Sequence, residues 1–229
     1  MKKAGQQQLT LGDLSGRTQV LSKLKGVANS FSISPNGKHL AVLQRERKVG
    51  SVSPEEFMIL SGVFDMDADM SSHGNNLEDN TVISKIDSHC QDTEVERVVA
   101  FFWSPDSKKL LYLTASSNEY EMYQKTRGMA LRCRWNVFHL NSGTTQQFPR
   151  FSPSTILLEN VIPNFEMFSR SMTFWSPDSE SFCFSGKLNI MHPTRSYAEV
   201  LEGAWVQELH SEMPTMVVEG ATYVVWSPS

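Results

Sequence analysis

One phrase recurs along this chain and constrains its fold more than any other feature. FSISPNGKHLAVL (residues 31–43) returns as WSPDSKKLLYL (103–113) and WSPDSESFCF (175–184), and a fourth copy starts as WSPS at 226–229. Each is an apolar run, a polar turn holding one proline, and a second apolar run. A second phrase, LTLGDLSGRTQVL (9–21), returns as VFHLNSGTTQQF (137–148) and more weakly as WVQELHSEMPTMVV (205–218). A degenerate version is ISKIDSHCQDTEV (83–95). The two phrases alternate, and such a period means that one supersecondary unit is repeated.

The first phrase reads as a β-hairpin. VVAFFW (98–103) is a continuous apolar run of strand length, as in a strand buried on both faces, and LLYLT (110–114) is its partner. Between strands, Pro35, Pro105, Pro177 and Pro228 pre-set φ for a turn, and Asn36, Asp106 and Asp178 bond the local backbone. Asn36-Gly37 is the most turn-like copy; Ser107 and Ser179 stand where the glycine would be. The second phrase is another hairpin, with Ser15-Gly16 or Asn141-Ser142-Gly143 at its tip.

Two hairpins make a four-stranded antiparallel unit of about 45–50 residues, the size of a propeller blade. A lone sheet cannot bury both faces, whereas radial stacking does so and hides the edges. The sequence therefore predicts an all-β chain, 1–229, read as one propeller-type domain with blades near 27–95, 97–148 and 170–218. Half-blades lie at 7–21 and 221–229, and regions 44–80 and 149–170 are insertions. Trp103, Trp175 and Trp226 fall at one repeat position, where packing between blades accounts for them.

W-S-P-D-S followed by a basic pair and an apolar strand resembles the repeat of TolB-like, WD-repeat-like propellers. It is also similar to the propeller domains of prolyl-oligopeptidase and dipeptidyl-peptidase type proteins. The resemblance spans roughly two-thirds of the chain and implies fold far more than function, because propellers host unrelated activities. The chain opens on the second phrase and closes on the first, so the expectation is a segment of a longer propeller. Two functions follow as expectations. One is a non-catalytic interaction or scaffold propeller. The other is the substrate-gating propeller of a larger serine peptidase whose hydrolase domain lies beyond Ser229.

The chain itself carries no G-x-S-x-G elbow, phosphate loop or H-E-x-x-H, so no catalytic residue, cofactor or metal is expected. Asp65, Asp67 and Asp69 alternate as calcium ligands do, but Met70 and Asn76 stand where an EF-hand wants glycine and glutamate. They read as a solvated acidic loop. The histidines at 39, 73, 89, 139, 192 and 210 show no ligand spacing, and His192, Arg195 and Tyr197 read as surface-loop residues. Net charge is −4, which gives no reason to bind nucleic acid or an anionic membrane. Lys125, Arg127, Arg132 and Arg134 near Tyr120, Tyr123 and Trp135 form a small basic cluster. Such interleaving of basic and aromatic residues can bind single-stranded nucleic acid, but one short cluster on an acidic chain is read equally as a partner of the acidic 51–96 segment, which holds eleven acids and one base. No signal peptide or membrane-length apolar run is visible, and Cys90, Cys133 and Cys183 are scattered, which favours a reducing compartment. Long loops inside compact domains are often functional, so a protein partner is expected at 44–80 and 149–170.

Overall fold

The computed structural model describes residues 7–12, 18–24, 27–45, 55–61, 80–86, 95–126, 131–168, 174–191 and 198–227. Packing divides the chain, which the sequence reads as one domain, into two compact units, Met1–Gln91 and Asp92–Ser229. In the first unit β1 (Gln7–Gly12) and β2 (Thr18–Leu24) form an antiparallel ribbon. A four-stranded antiparallel sheet follows in the order β3 (Val27–Ile33), β4 (His39–Arg45), β5 (Glu55–Ser61), β6 (Asn80–Ile86). Its centre, Leu40–Leu43 and Phe57–Leu60, is buried almost without interruption, as befits strands covered on both faces.

The third strand, β5, therefore comes from within the 44–80 region, and the described part of the phrase at 83–95 belongs to the strand beside it. Residues 83–86 belong to β6, which pairs along β5 from Glu55↔Ile86 to Leu60↔Asn80. The FMIL core of β5 supplies the apolar surface a buried strand needs.

The second unit is a seven-stranded meander in sequence order: β7 (Glu96–Trp103), β8 (Lys109–Ser116), β9 (Cys133–His139), β10 (Thr144–Pro153), β11 (Ser181–Met191), β12 (Ala198–Glu208) and β13 (Thr215–Glu219). Strands β7–β10 make one blade. Strands β11–β13 make most of the next, whose innermost strand is represented among the described residues by the Trp175–Phe182 bridge. The two blades are stitched at one corner, Ser152↔Lys187 and Pro153↔Gly186, backed by the Ser154 amide on the Ser185 carbonyl at 3.1 Å. Pro149 sits in a register shift of β10 between Gln147 and Arg150, the place in a sheet where a residue without N–H costs least. Fold class and repeat unit are those of a β-propeller built of four-stranded antiparallel blades.

The Ser-Pro turns repeat atom for atom. Ser34, Ser104 and Ser176 each donate a hydroxyl bond to the carbonyl or carboxylate Oδ1 of Asn36, Asp106 and Asp178, at 2.7, 2.6 and 2.5 Å. Each serine Oγ accepts from the amide five residues on, at 2.9–3.0 Å. Each serine carbonyl accepts from the amide of Gly37, Ser107 or Ser179 at 2.9 Å. Those three residues have φ of 74°, 61° and 63°, the left-handed region that favours glycine. At position 179 the serine has a compensating use. Its Oγ accepts from the Asp106 amide of the neighbouring blade at 3.1 Å, while Lys109 Nζ reaches the Ser179 carbonyl at 3.0 Å and Glu180 at 2.7 Å.

Desolvation alone would raise the carboxyl of Asp106, but the Ser104 hydroxyl, the Lys108 amide and the charges of Lys109 and Lys108 hold it below the ordinary 3.8. The Ser176 hydroxyl and the Glu180 amide do the same for Asp178. A carboxyl depressed on folding contributes stability that is present above its unfolded value and lost as pH falls through its folded one. Urea midpoints should therefore fall below about pH 4, and less so in the double variant Asp106→Asn, Asp178→Asn. Because Asn36 makes the same bonds without charge, that variant should be near wild type at pH 7. An unchanged acid limb would remove these turns from the account.

Candidate functional site

Two enlarged connections leave the β7–β10 blade at the end opposite its Ser-Pro turn. One, between β8 and β9, contains α1 (Ser117–Thr126). The other follows β10 and is helical over its described residues 155–168: a π turn at Leu157–Val161, a 3-10 turn at Ile162–Asn164 and a short α-helix, α2, at Phe165–Phe168. In the first unit, β5 ends and β6 begins beside the Ser34 turn, since Ser61 pairs with His39 and Asn80 with Leu60. Those two strand ends lie at the turn end of their sheet, whereas 154–168 follow β10 at the opposite end of theirs.

Each insertion is anchored to the blade. The Ser117 amide bonds the Val95 carbonyl at 2.8 Å. Glu121 pairs with Arg97 at 3.7 Å, and Glu119 accepts from the Arg132 amide at 3.1 Å. In the second insertion, buried Ser154 caps the start, its Oγ accepting from the Leu157 amide at 3.3 Å and its carbonyl from Leu158 at 2.9 Å. Leu157, Val161 and Phe165, one helical face, are buried. Phe165 packs on Phe101 and Phe102, with ring centroids at 4.9 and 6.4 Å. Pro163 lies in the 3-10 turn, where it interrupts regular α-helix without abolishing helical structure.

Between the insertions is a cavity of about 600 Å³, lined by Tyr120, Tyr123 and Gln124 from α1 and by Leu158, Glu159, Asn160, Ile162 and Pro163 from the second insertion. That volume is within the usual range of ligand sites. The π turn, closed by the Ile162 amide on the Leu157 carbonyl five residues back, supplies three of the lining residues. Such turns are rare and occur frequently at functional sites.

The other residues singled out in the sequence sit elsewhere. Pro35, Asn36, Pro105, Asp106, Pro177 and Asp178 are in the turns. Trp103 and Trp175 are buried, and the Trp175 indole N–H bonds the Phe102 carbonyl of the adjacent blade at 3.1 Å. Trp226 is partly exposed, while Pro228, Cys90, the Asp65–Asp69 run, Arg127 and His192, Arg195 and Tyr197 lie outside the described residues. Arg132 and Arg134 of the basic cluster are engaged within the blade: Arg134 meets Glu96 at 3.4 Å and Gln147 at 3.0 Å, and Arg132 meets Glu119. Arg150 adds a 2.8 Å pair with Glu96. Cys133 and Cys183 are buried, which raises the Cys133 thiol and pushes that of Cys183 up to about 12. Neither is a thiolate near neutral pH. Among the described residues there is no cluster of metal-binding side chains and no helix long and apolar enough to cross a membrane.

No family model matches the chain, and no curated protein matches it in sequence. Solved structures do match. The chain is similar to oligogalacturonate lyase from Vibrio parahaemolyticus, with a TM-score of 0.50 and 12% identity over 93% of this chain and 46% of that one. It is similar at TM-score 0.43 to the β-propeller domain of the Trilobed protease from Pyrococcus furiosus, with 12% identity over 95% and 51% of the two chains. TolB from Acinetobacter baumannii aligns at TM-score 0.35, with 14% identity over 96% and 39%. At these identities the likeness is one of fold, and this chain spans about half or less of each of the three.

Proposed function

We propose that this chain is a non-catalytic propeller module that binds a partner protein, and that the groove between α1 and residues 154–168 is the docking site. The observation that carries the reading is the cavity of about 600 Å³ built where two anchored insertions leave one end of a blade. A rigid sheet that positions irregular connections is the usual way a repeat fold presents a binding surface. The 44–80 region adds two further contact regions in this reading: 46–54, and the acidic stretch 62–79, suited to a basic partner.

Affinity capture with the full chain, comparing wild type with Tyr120→Ser, tests this. Tyr120 is only half-buried, so the variant should keep its melting temperature and lose a defined set of captured proteins. An identical set from both would overturn the groove as the docking site.

The gating-propeller reading rests on the Ser-Pro-Asp repeat and on the chain spanning only part of its solved neighbours. Intact mass of the endogenous protein decides it. A mass near 25.9 kDa removes it, and a larger mass with a hydrolase sequence attached keeps it.

A further inference from the structure

The groove's lining points to the chemistry of its occupant. Two phenol rings one helical turn apart, Tyr120 and Tyr123, face an apolar floor of Leu158, Ile162 and Pro163. The polar members are Gln124, Asn160 and Glu159, and among the described residues no basic side chain lines the cavity. Glu159 is exposed and makes no ion pair among the described residues, whereas Glu119 and Glu121 on α1 are each matched by an arginine. The groove thus combines aromatic faces, amide carbonyls and one carboxylate without an ion partner among the described residues.

That set suits a guanidinium. Its plane stacks on aromatic faces, its fork pairs bidentately with a carboxylate, and its remaining N–H groups suit amide acceptors. An ammonium would use the charge but neither the stacking nor the fork. The cavity is larger than one side chain fills and is flanked by two separate elements, so the residue would arrive on a peptide that also covers the apolar floor. We infer that the groove docks an extended, arginine-bearing segment of a partner protein, with Glu159 pairing the guanidinium and Tyr120 and Tyr123 stacking on it. This inference rests on the docking reading above.

The test is panning of a random heptapeptide phage library on the full chain, followed by binding measurements with one enriched synthetic peptide. Enrichment of arginine is expected. Glu159→Gln should weaken the peptide by about tenfold, the loss of one charge-assisted contact, and Tyr120→Ser should weaken it further. Replacing the peptide's arginine by lysine should also weaken it. Circular dichroism of both variants confirms folding, and Glu159, being exposed, tolerates glutamine. Tyr120-dependent peptides without arginine, or arginine peptides indifferent to Glu159→Gln, would overturn the guanidinium inference and leave the docking reading standing. Failure to recover any Tyr120-dependent peptide would overturn both.

Discussion

Replacing Trp135 by alanine is expected to cost about 3–5 kcal/mol of unfolding free energy, the range for removing a buried large aromatic side chain. Trp135 is 1% exposed. Its ring stacks on Phe151 at 6.2 Å and 13°, and lies within 5.9 Å of both Phe174 and Phe182. It therefore joins β9 and β10 of one blade to the inner strands of the next. Its indole N–H has no partner among the described residues, so the cost comes from lost packing and the cavity left behind. Urea unfolding should show the midpoint falling at unchanged m. A cost near that of an exposed substitution, within about 0.5 kcal/mol, would mean that the aromatic cluster is not what holds the blades together.

The second large effect belongs to Gly186, at the corner where β10 meets β11. A methyl group there would sit 2.3 Å from the Ser152 carbonyl oxygen and 2.9 Å from the Phe151 ring. The residue's φ of 155° is one that side chains rarely adopt. Gly186→Ala should cost about 1–3 kcal/mol through overpacking. It should also speed hydrogen exchange at the Ser154 amide, whose acceptor is Ser185. Gly143→Ala is the control. It also has positive φ, at 66°, but its added methyl meets nothing within 4 Å, so only the left-handed penalty of about 1–2 kcal/mol applies. Equal costs and an unchanged Ser154 amide would show that the inter-blade corner can yield.

Most of the blade plan was legible because a Ser-Pro-Asp turn is a local device. Its serine, proline and carboxylate satisfy one another within six residues, so the pattern survives in sequence wherever the hairpin occurs. The third strand of the first sheet was harder. Phe57–Leu60 is a good strand, but its partner β6 is separated from it by residues 62–79 and runs into the repeat-like phrase at 83–95. Ser179 looked like a defect of the repeat, since its reason is the Asp106 amide of another blade, a contact no local pattern announces.

The groove was only half legible. Residues 149–170 stand out as an insertion, yet the first five continue strand β10 and Pro163 masks the helical character of those that follow. The apolar spacing Leu157, Val161, Phe165 was the available signal. Helix α1 announced itself more plainly, with Ser116 three residues before Glu119 as a capping-box pattern and Lys125 near the end. Among strand signals of the surrounding repeat it was read as part of a basic cluster. That the two insertions meet follows from strand order: the connection from second to third strand and the one leaving the fourth emerge at the same end of an antiparallel blade.

Hydrogen exchange of the full chain, with and without a partner obtained by the Tyr120-dependent capture, tests the docking account most directly. The account predicts slowed exchange in Ser117–Thr126 and across 154–168, with the turn end at 104–108 and 140–143 unchanged. Protection confined to the turn end, or absent from both insertions, would contradict it.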